Sequence, residues 1–195
     1  GMRSPADIIK QPPVCPSDNE ELGARALSKS EVEEVVEDFI AAAIRAERAG
    51  FDGVELHGAH GYLLCQFFSE ETNRREDEYG GSLKNRSRIL FEIIDGIRQR
   101  CHSNFMIGVR LSPERFGMKL DDSVELAKRL CDEAKIDFLD MSLWDVFKEP
   151  NEEERRGSSL LSYFTSIERG EVRLGVAGKI RTPMDAERVF AEGVD

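Results

Sequence analysis

The stretch GFDGVELHGAHGYLL, residues 50–64, decides the fold. Its short apolar part, residues 51–57, is flanked by glycine, which indicates a buried strand. His57, His60 and Tyr62 mark the end of this strand, and the glycines between them permit a sharp backbone turn. The stretch therefore predicts a strand whose carboxyl end carries two imidazoles and a phenol, followed by a short helix over residues 62–68.

A capping pattern places a helix before this strand. Ser28 and Glu31 have the spacing at which a serine hydroxyl and a glutamate carboxylate satisfy each other's free backbone N–H groups. Apolar residues then recur at helical spacing as far as Ile44, and Gly50 ends the helix. Residues 1–27 contain four prolines and are predicted to form a loop or extended segment.

The order of strand and helix is repeated along the rest of the chain. Further strands are predicted over residues 105–111, 137–143 and 172–177, and further helices over residues 86–100, 122–134, 158–168 and 183–192. Such alternation predicts βαβ units and a parallel sheet. Because the strands are nearly all apolar, we expect a sheet that is covered on both faces.

Two α/β architectures fit this order, a doubly wound sheet and a (β/α)₈ TIM barrel. No GxGxxG motif follows the first strand, which weakens the dinucleotide-binding alternative. Barrel enzymes carry their chemistry at the carboxyl ends of the strands. The predicted strand ends carry His57, Arg110, Ser142 with Trp144, and Gly178 with Lys179. We therefore predict a TIM barrel, of which residues 28–195 supply roughly the middle-to-late half as about four βα modules.

Composition excludes several classes of function. A net charge of −11 disfavours a nucleic-acid surface, because an acidic face repels phosphates. No apolar run approaches the roughly 18 residues of a membrane helix, and no signal-peptide pattern opens the chain. The four cysteines are scattered without a CxxC pair, which predicts reduced thiols rather than a disulfide, zinc or iron–sulfur framework. The expected compartment is the cytoplasm.

Each candidate residue also has a plainer interpretation. His57 and His60 could belong to a solvated turn or ligate zinc, although no third ligand at the usual spacing is evident. Tyr62 could simply start a helix, with its hydroxyl in water. Arg110 interrupts an apolar strand and could form a structural salt bridge to a carboxylate at a neighbouring strand end. Gly178-Lys179 could be a turn glycine followed by a surface lysine.

A longer resemblance bears on these alternatives. Residues 50–64 are similar to the fourth-strand signature of the old yellow enzyme family. The match continues through Gln66-Phe67-Phe68-Ser69, Asn73-Arg74-Arg75, the run from Asp77 to Arg86, and Gly108-Val109-Arg110-Leu111-Ser112-Pro113. It is dense over residues 28–143 and returns at residues 174–195. A match of this length is far more specific than an isolated pair of histidines.

The resemblance implies a flavin-dependent ene-reductase. His57 and His60 would bind the oxygen of an activated alkene, and Tyr62 would protonate its α-carbon. The expected substrates are small α,β-unsaturated carbonyl or nitro compounds. The charge-dense segment over residues 70–88 would be a folded loop of structural importance without a catalytic role.

The resemblance also implies FMN as cofactor and NADH or NADPH as reductant. Arg110 would lie near the flavin, where a fixed cation stabilises the anionic reduced ring. Backbone N–H groups of Gly178 and Lys179 would help to hold the FMN phosphate. The family's early strands would precede Gly1, and the phosphate contact of its final strand would follow Asp195.

A different class of function stays open. A half barrel exposes two sheet edges, so the polypeptide could be a non-catalytic fragment that is stable only with missing strands or by self-association. A zinc-dependent hydrolase that uses the histidine pair is a third alternative. A homo-oligomer is compatible with the sequence.

Overall fold

The computed structural model describes residues 12–133 and 135–195. Residues 1–11 of the predicted amino-terminal loop lie outside this range. The rest of that segment is not a plain loop, because β1 (Val14–Cys15) and β2 (Arg25–Ala26) form a short parallel pair. Arg75 stabilises the residues that follow each of these two strands, because it donates hydrogen bonds to the backbone carbonyls of Pro16 and Leu27.

Helix α1 (Lys29–Arg48) begins at the predicted capping box. The Glu31 amide donates to the Ser28 hydroxyl, and the Ser28 amide donates to the Glu31 carboxylate. The apolar face of the helix is buried and packs against α4 (Arg88–Arg100). The predicted capping box therefore marks the start of the first long helix.

Four parallel strands form the central sheet. They are β3 (Gly53–Gly58), β4 (Met106–Leu111), β5 (Phe138–Ser142) and β6 (Arg173–Ala177), hydrogen-bonded in that order. Sequential strands are spatial neighbours and all pairs are parallel, which confirms the predicted βαβ organisation. β3 and β6 form the two edges of this four-stranded sheet.

The remaining helices follow the predicted order with two differences. They are α2 (Leu63–Phe68), α3 (Leu83–Arg86), α5 (Leu120–Asp132), α6 (Ser162–Thr165) and α7 (Pro183–Ala191), with a 3₁₀ turn at Glu153–Arg155. The helix predicted over residues 158–168 shortens to α6, because serine hydroxyls there bond to nearby backbone groups. The helix predicted from residue 86 is preceded by α3, and the Ser87 hydroxyl donates to the Leu83 carbonyl at the junction.

Burial alternates along the central strands of this chain, whereas the sequence predicted strands that are apolar on both faces. The side chains of Leu56, Val109 and Leu139 are buried, whereas the alternating positions between them are more open. That second face carries polar side chains, namely Glu55, His57, Arg110, Asp140 and Ser142. Successive side chains of a strand point to opposite faces, so this face forms a continuous polar wall leading to the strand ends.

The charged segment after α2 is a folded loop, as the family resemblance implied. The side-chain amide of buried Asn73 donates 2.7 Å hydrogen bonds to the carbonyls of Phe67 and Tyr79. Arg86 is 4% exposed, donates to the Phe68 carbonyl and forms a 2.9 Å ion pair with Asp122. These contacts fasten the loop to α2, which precedes it, and to α5, which follows it. Within residues 12–133 and 135–195, none of the helices is long and apolar enough to cross a membrane.

Candidate active site

The strand register brings the predicted residues to one end of the sheet. His57 pairs with Arg110 across β3 and β4, and Arg110 pairs with Asp140 across β4 and β5. Ser142 pairs with Ala177 at the end of β6, next to Gly178. Because all four strands are parallel, their carboxyl ends form one surface.

The strand–turn–helix around residues 57–62 gathers two imidazoles and a phenol. The ring centroid of His57 lies 5.1 Å from that of His60 and 5.0 Å from that of Tyr62. His60 adopts a left-handed φ of 60°, and its amide donates a 3.0 Å hydrogen bond to the Ser112 hydroxyl. Tyr62 is the N-cap residue of α2 and keeps 38% of its surface exposed. The structure thus brings the predicted trio together, while their chemical roles stay predictions.

Ser142 is a further member of this cluster, to which the sequence assigned no role. Its hydroxyl oxygen lies 2.7 Å from Nε2 of His60. Nη2 of Arg110 donates to the same oxygen at 3.5 Å. The only signal in the sequence was the position of Ser142 at a strand end, because its partner His60 is 82 residues away.

Burial favours the neutral form of both imidazoles. It lowers the pKa of His57, and the positive charges of His60 and Arg110 lower it further. The pKa of His60 is lowered by burial and then by Arg110, with Asp140 acting in the opposite direction. A neutral imidazole has one N–H donor and one acceptor nitrogen, so each ring can donate one hydrogen bond.

Arg110 forms a salt bridge to a neighbouring strand, which was the plainer of the two interpretations of this residue. Its Nε lies 3.1 Å from Oδ2 of Asp140, on the neighbouring strand. The Nε–H is nevertheless buried without a hydrogen bond, so the contact is electrostatic and its donor is unused by the described residues. Burial raises the pKa of Asp140 although Arg110 and His60 lower it. Glu55 adds a second carboxyl to this wall, and its pKa is raised by burial and by Asp140.

The turn after β6 requires glycine at residue 178. A Cβ on Gly178 would lie 2.8 Å from the backbone nitrogen of Asp145, and φ is 152°. Lys179 has a left-handed φ of 50°, and its ammonium group lies 3.1 Å from a carboxylate oxygen of Asp145. In the part of the chain that the structure describes, the amides of Gly178 and Lys179 donate to no acceptor. A close backbone approach with free N–H groups is what a phosphate requires.

A pocket opens beside His60 and Ser142. It is shallow, with a cavity volume of about 20 Å³, and the residues that line it include Arg115, Phe116 and Trp144. No sequence pattern points to Arg115 or Phe116, since neither lies in a regular element.

Backbone strain is concentrated at the same end of the sheet. Among the described non-glycine residues, those with positive φ are His60, Arg115, Phe116, Trp144 and Lys179. Each of them lies in the segment that follows one of the four central strands. Such conformations are costly and cluster at functional sites.

The described residues do not support a metal site. Within residues 12–133 and 135–195, no group of three His, Cys, Asp or Glu side chains could hold an ion. The described cysteines are free thiols.

Comparisons with known proteins identify the family of this chain. Residues 1–193 match the family described as NADH:flavin oxidoreductase / NADH oxidase. The probable NADH-dependent flavin oxidoreductase YqiG of Bacillus subtilis is 36% identical over 100% of this chain and 55% of its own length. An NADPH dehydrogenase of a Geobacillus species is 34% identical over 99% of this chain and 57% of its own length.

A solved structure supports the barrel. Morphinone reductase in complex with tetrahydroNAD superposes with a TM-score of 0.74 at 30% identity, over 95% of this chain and 54% of that chain. The chain therefore spans about half the length of these relatives, and its four βα units form about half of a TIM barrel. The chain belongs to the NADH:flavin oxidoreductase / NADH oxidase family, that is, to the old yellow enzyme family.

Proposed function

We propose that the protein containing this chain is an FMN-dependent oxidoreductase that reduces activated C=C bonds with electrons from NADH or NADPH. The observation that carries the proposal is the cluster of His57, His60 and Tyr62, with ring centroids about 5 Å apart at a strand end. The substrates are small α,β-unsaturated carbonyl or nitro compounds. The names of the relatives include both NADH-dependent and NADPH-dependent enzymes, so either nucleotide is a candidate reductant.

The residues present fit an FMN molecule. The buried, unused Nε–H of Arg110 is available to a polar edge of the flavin ring. The free amides of Gly178 and Lys179 suit its phosphate, and Gly178 leaves the space that the approach requires. When bound, FMN supplies the hydride chemistry, whereas the chain supplies binding, orientation and electrostatics.

The histidines would bind and polarise the substrate oxygen. Neutral imidazoles are suited to this role, because they donate hydrogen bonds without placing a full positive charge beside Arg110. A Ser142 hydroxyl that donates to Nε2 of His60 would place the ring proton on Nδ1. That proton could then be donated to a substrate carbonyl or nitro oxygen.

Tyr62 would deliver the proton to the substrate carbon. Its ring is partly exposed and lies against His57, so a molecule bound by the histidines would be within its reach. A phenol is a competent general acid when it is held next to the reacting carbon. We place the reaction in the cytoplasm, which is consistent with the free thiols of buried Cys15, Cys65 and Cys131.

The test uses the complete barrel protein with its flavin bound. 4-Hydroxybenzaldehyde is a phenolic mimic whose binding can be followed through the flavin absorbance. Replacing both histidines, His57→Ala with His60→Ala, should weaken its binding at least tenfold. The hydrogen bonds from the two imidazoles to the phenolic oxygen together contribute about 1.5 kcal/mol or more. The flavin should stay bound, and His102→Ala on the exposed surface should change neither property. Unchanged affinity in the double variant would contradict the assigned role.

The fragment alternative has its own test. A polypeptide limited to these residues has open edges at β3 and β6, and unpaired edges favour association. Its mass in solution should then increase with concentration. A monomer with one cooperative thermal transition would rule this alternative out.

A further inference from the structure

The pocket beside His60 has a rim that the reaction chemistry does not use. Arg115 and Phe116 lie on it after β4, and Trp144 lies on it after β5. The guanidinium carbon of Arg115 is 4.5 Å from the centroid of the Trp144 ring and 5.8 Å from that of Phe116. The cation is therefore held over aromatic faces at the mouth of the pocket.

The rim keeps apolar surface exposed. Trp144 is 64% exposed and Phe116 is 42% exposed. Both residues, like Arg115, have left-handed backbone conformations, with φ of 65° and 54°. Exposed aromatic side chains on strained backbone are costly to maintain, so their convergence on one pocket indicates a binding role.

The positive charge of Arg115 is not neutralised locally. Within residues 12–133 and 135–195, no carboxylate lies within ion-pair distance of its guanidinium group, although most other cations near this end are paired. Its neighbour Glu114 does not compensate it, because that carboxylate is buried against Lys148 and the amide of Asn151. In a chain of net charge −11, an unpaired guanidinium at a pocket mouth is a specific feature.

Two contacts join the chain segments that carry the rim residues. The Glu114–Lys148 ion pair and the 2.8 Å hydrogen bond from the Leu120 amide to Glu152 fasten the segment after β4 to the segment after β5. A preformed site loses little conformational entropy when a ligand binds. Guanidinium groups bind carboxylate or phosphoryl oxygens in a bidentate manner.

We propose that Arg115, Trp144 and Phe116 form a subsite for an anionic group at the distal end of a planar unsaturated substrate. This inference rests on the proposed function, since the other end of the substrate is bound by the histidines. The ring of Phe116 lies 6.2 Å from that of His60 and 5.8 Å from the Arg115 guanidinium carbon. These two distances set an upper limit on the separation of the imidazole and the cation, and a single-ring substrate can span it. The enzyme therefore prefers unsaturated acids over matched neutral compounds.

The experiment compares 4-carboxycinnamaldehyde with its methyl ester in the complete flavoprotein. Dissociation constants are measured by calorimetry without reductant, and KM values are measured with it. Arg115→Gln should raise both constants for the acid about tenfold, as expected for a charge-assisted pair, and change those for the ester less than twofold. Arg115→Lys should give an intermediate loss, because it keeps the charge but not the planar fork.

The control is Arg48→Gln, which removes the same charge from the exposed end of α1. It should leave acid and ester unchanged. Equal effects of Arg115→Gln on acid and ester, or no effect on either, would overturn the proposal. A rise confined to the KM for NADPH would also overturn it and assign the cation to the nucleotide phosphate. Reduction of the ester by the wild type would support the proposed function independently of the Arg115 variants. Binding of the acid without reduction of either compound would contradict the proposed function and leave the subsite supported.

Discussion

Nε2 of His60 lies 2.7 Å from the hydroxyl oxygen of Ser142. His60 follows β3 and Ser142 ends β5, so the contact passes over the end of β4, the strand between them. It fixes the orientation of an imidazole whose backbone is already constrained by a φ of 60°. A side chain from one βα unit thereby orients the candidate substrate-binding residue of another.

Removing this contact should weaken substrate binding without unfolding the protein. We expect Ser142→Ala to raise the KM for an unsaturated ketone about fivefold, because a single neutral hydrogen bond contributes about 1 kcal/mol. Steady-state kinetics of the complete flavoprotein provide the measurement. Ser166→Ala, at the exposed end of α6, is the control and should leave KM unchanged. The same KM in Ser142→Ala would show that the contact does not orient His60.

The lowered pKa values of His57 and His60 predict a pH-dependent stability. In the unfolded chain both imidazoles gain a proton near the ordinary value of 6.5, whereas in the native state they stay neutral to lower pH. The unfolded state therefore binds more protons in that window, so the free energy of unfolding falls as pH drops from about 6.5 to the native pKa values.

This pH effect can be isolated with variants. Replacing both residues, as His57→Gln with His60→Gln, should reduce the difference in urea midpoint between pH 7.5 and pH 5.5. His102→Gln, an exposed control, should keep the full wild-type difference. A double variant with an undiminished difference would assign the acid sensitivity to other groups.

Tyr62 is expected to act in substrate reduction but not in binding. Tyr62→Phe should lower turnover of an unsaturated ketone about 100-fold, because a positioned general acid contributes that order of rate. The affinity for 4-hydroxybenzaldehyde and the rate of reduction by NAD(P)H should change little. Tyr163→Phe is the matched control, since that hydroxyl donates to the Arg155 carbonyl on another element. Near-normal turnover in Tyr62→Phe would place the proton donor elsewhere.

Arg86 should be among the most important residues for stability. Arg86→Met would leave the Asp122 carboxylate and the Phe68 carbonyl without their partner, and breaking a buried pair in this way costs about 3 kcal/mol. The surface pair of Arg100 with Glu37 offers a contrast, because Arg100→Met should cost less than about 1 kcal/mol. Urea denaturation of both variants compares the two costs. Similar values would mean that the loop after α2 is not fastened by Arg86.

The turn at Gly178 should be required for retention of the flavin. Gly178→Ala would place a methyl group 2.8 Å from the Asp145 nitrogen and displace the segment that carries the free amides. We expect a lower molar ratio of FMN to protein after purification. Gly157→Ala is the control, because Gly157 also has a positive φ, of 104°, but no atom lies within 4 Å of the added methyl group. It therefore imposes backbone strain without crowding and should leave the flavin content unchanged. Full flavin content in Gly178→Ala would remove this turn from the cofactor site.

The sequence by itself determined the order of the four central strands and the longer helices, the start of α1 and the first cluster of candidate side chains. These features are local: the capping box of Ser28 and Glu31 spans four residues, and the trio at residues 57–62 shares one strand end. Apolar periodicity and glycine placement act over such short distances, so their pattern is visible in the chain.

Only the tertiary structure decided which side chains meet across strands. The pairing of His60 with Ser142, of Arg110 with Asp140 and of Arg115 with Trp144 depends on strand register and on positive φ values after the strands. Apolar runs located each strand in the sequence but did not show on which face its polar residues would lie. The alternation between buried and open positions along the strands was therefore not predicted. Contacts between distant segments arise from how the parallel strands pair and twist together, and no local pattern encodes that arrangement.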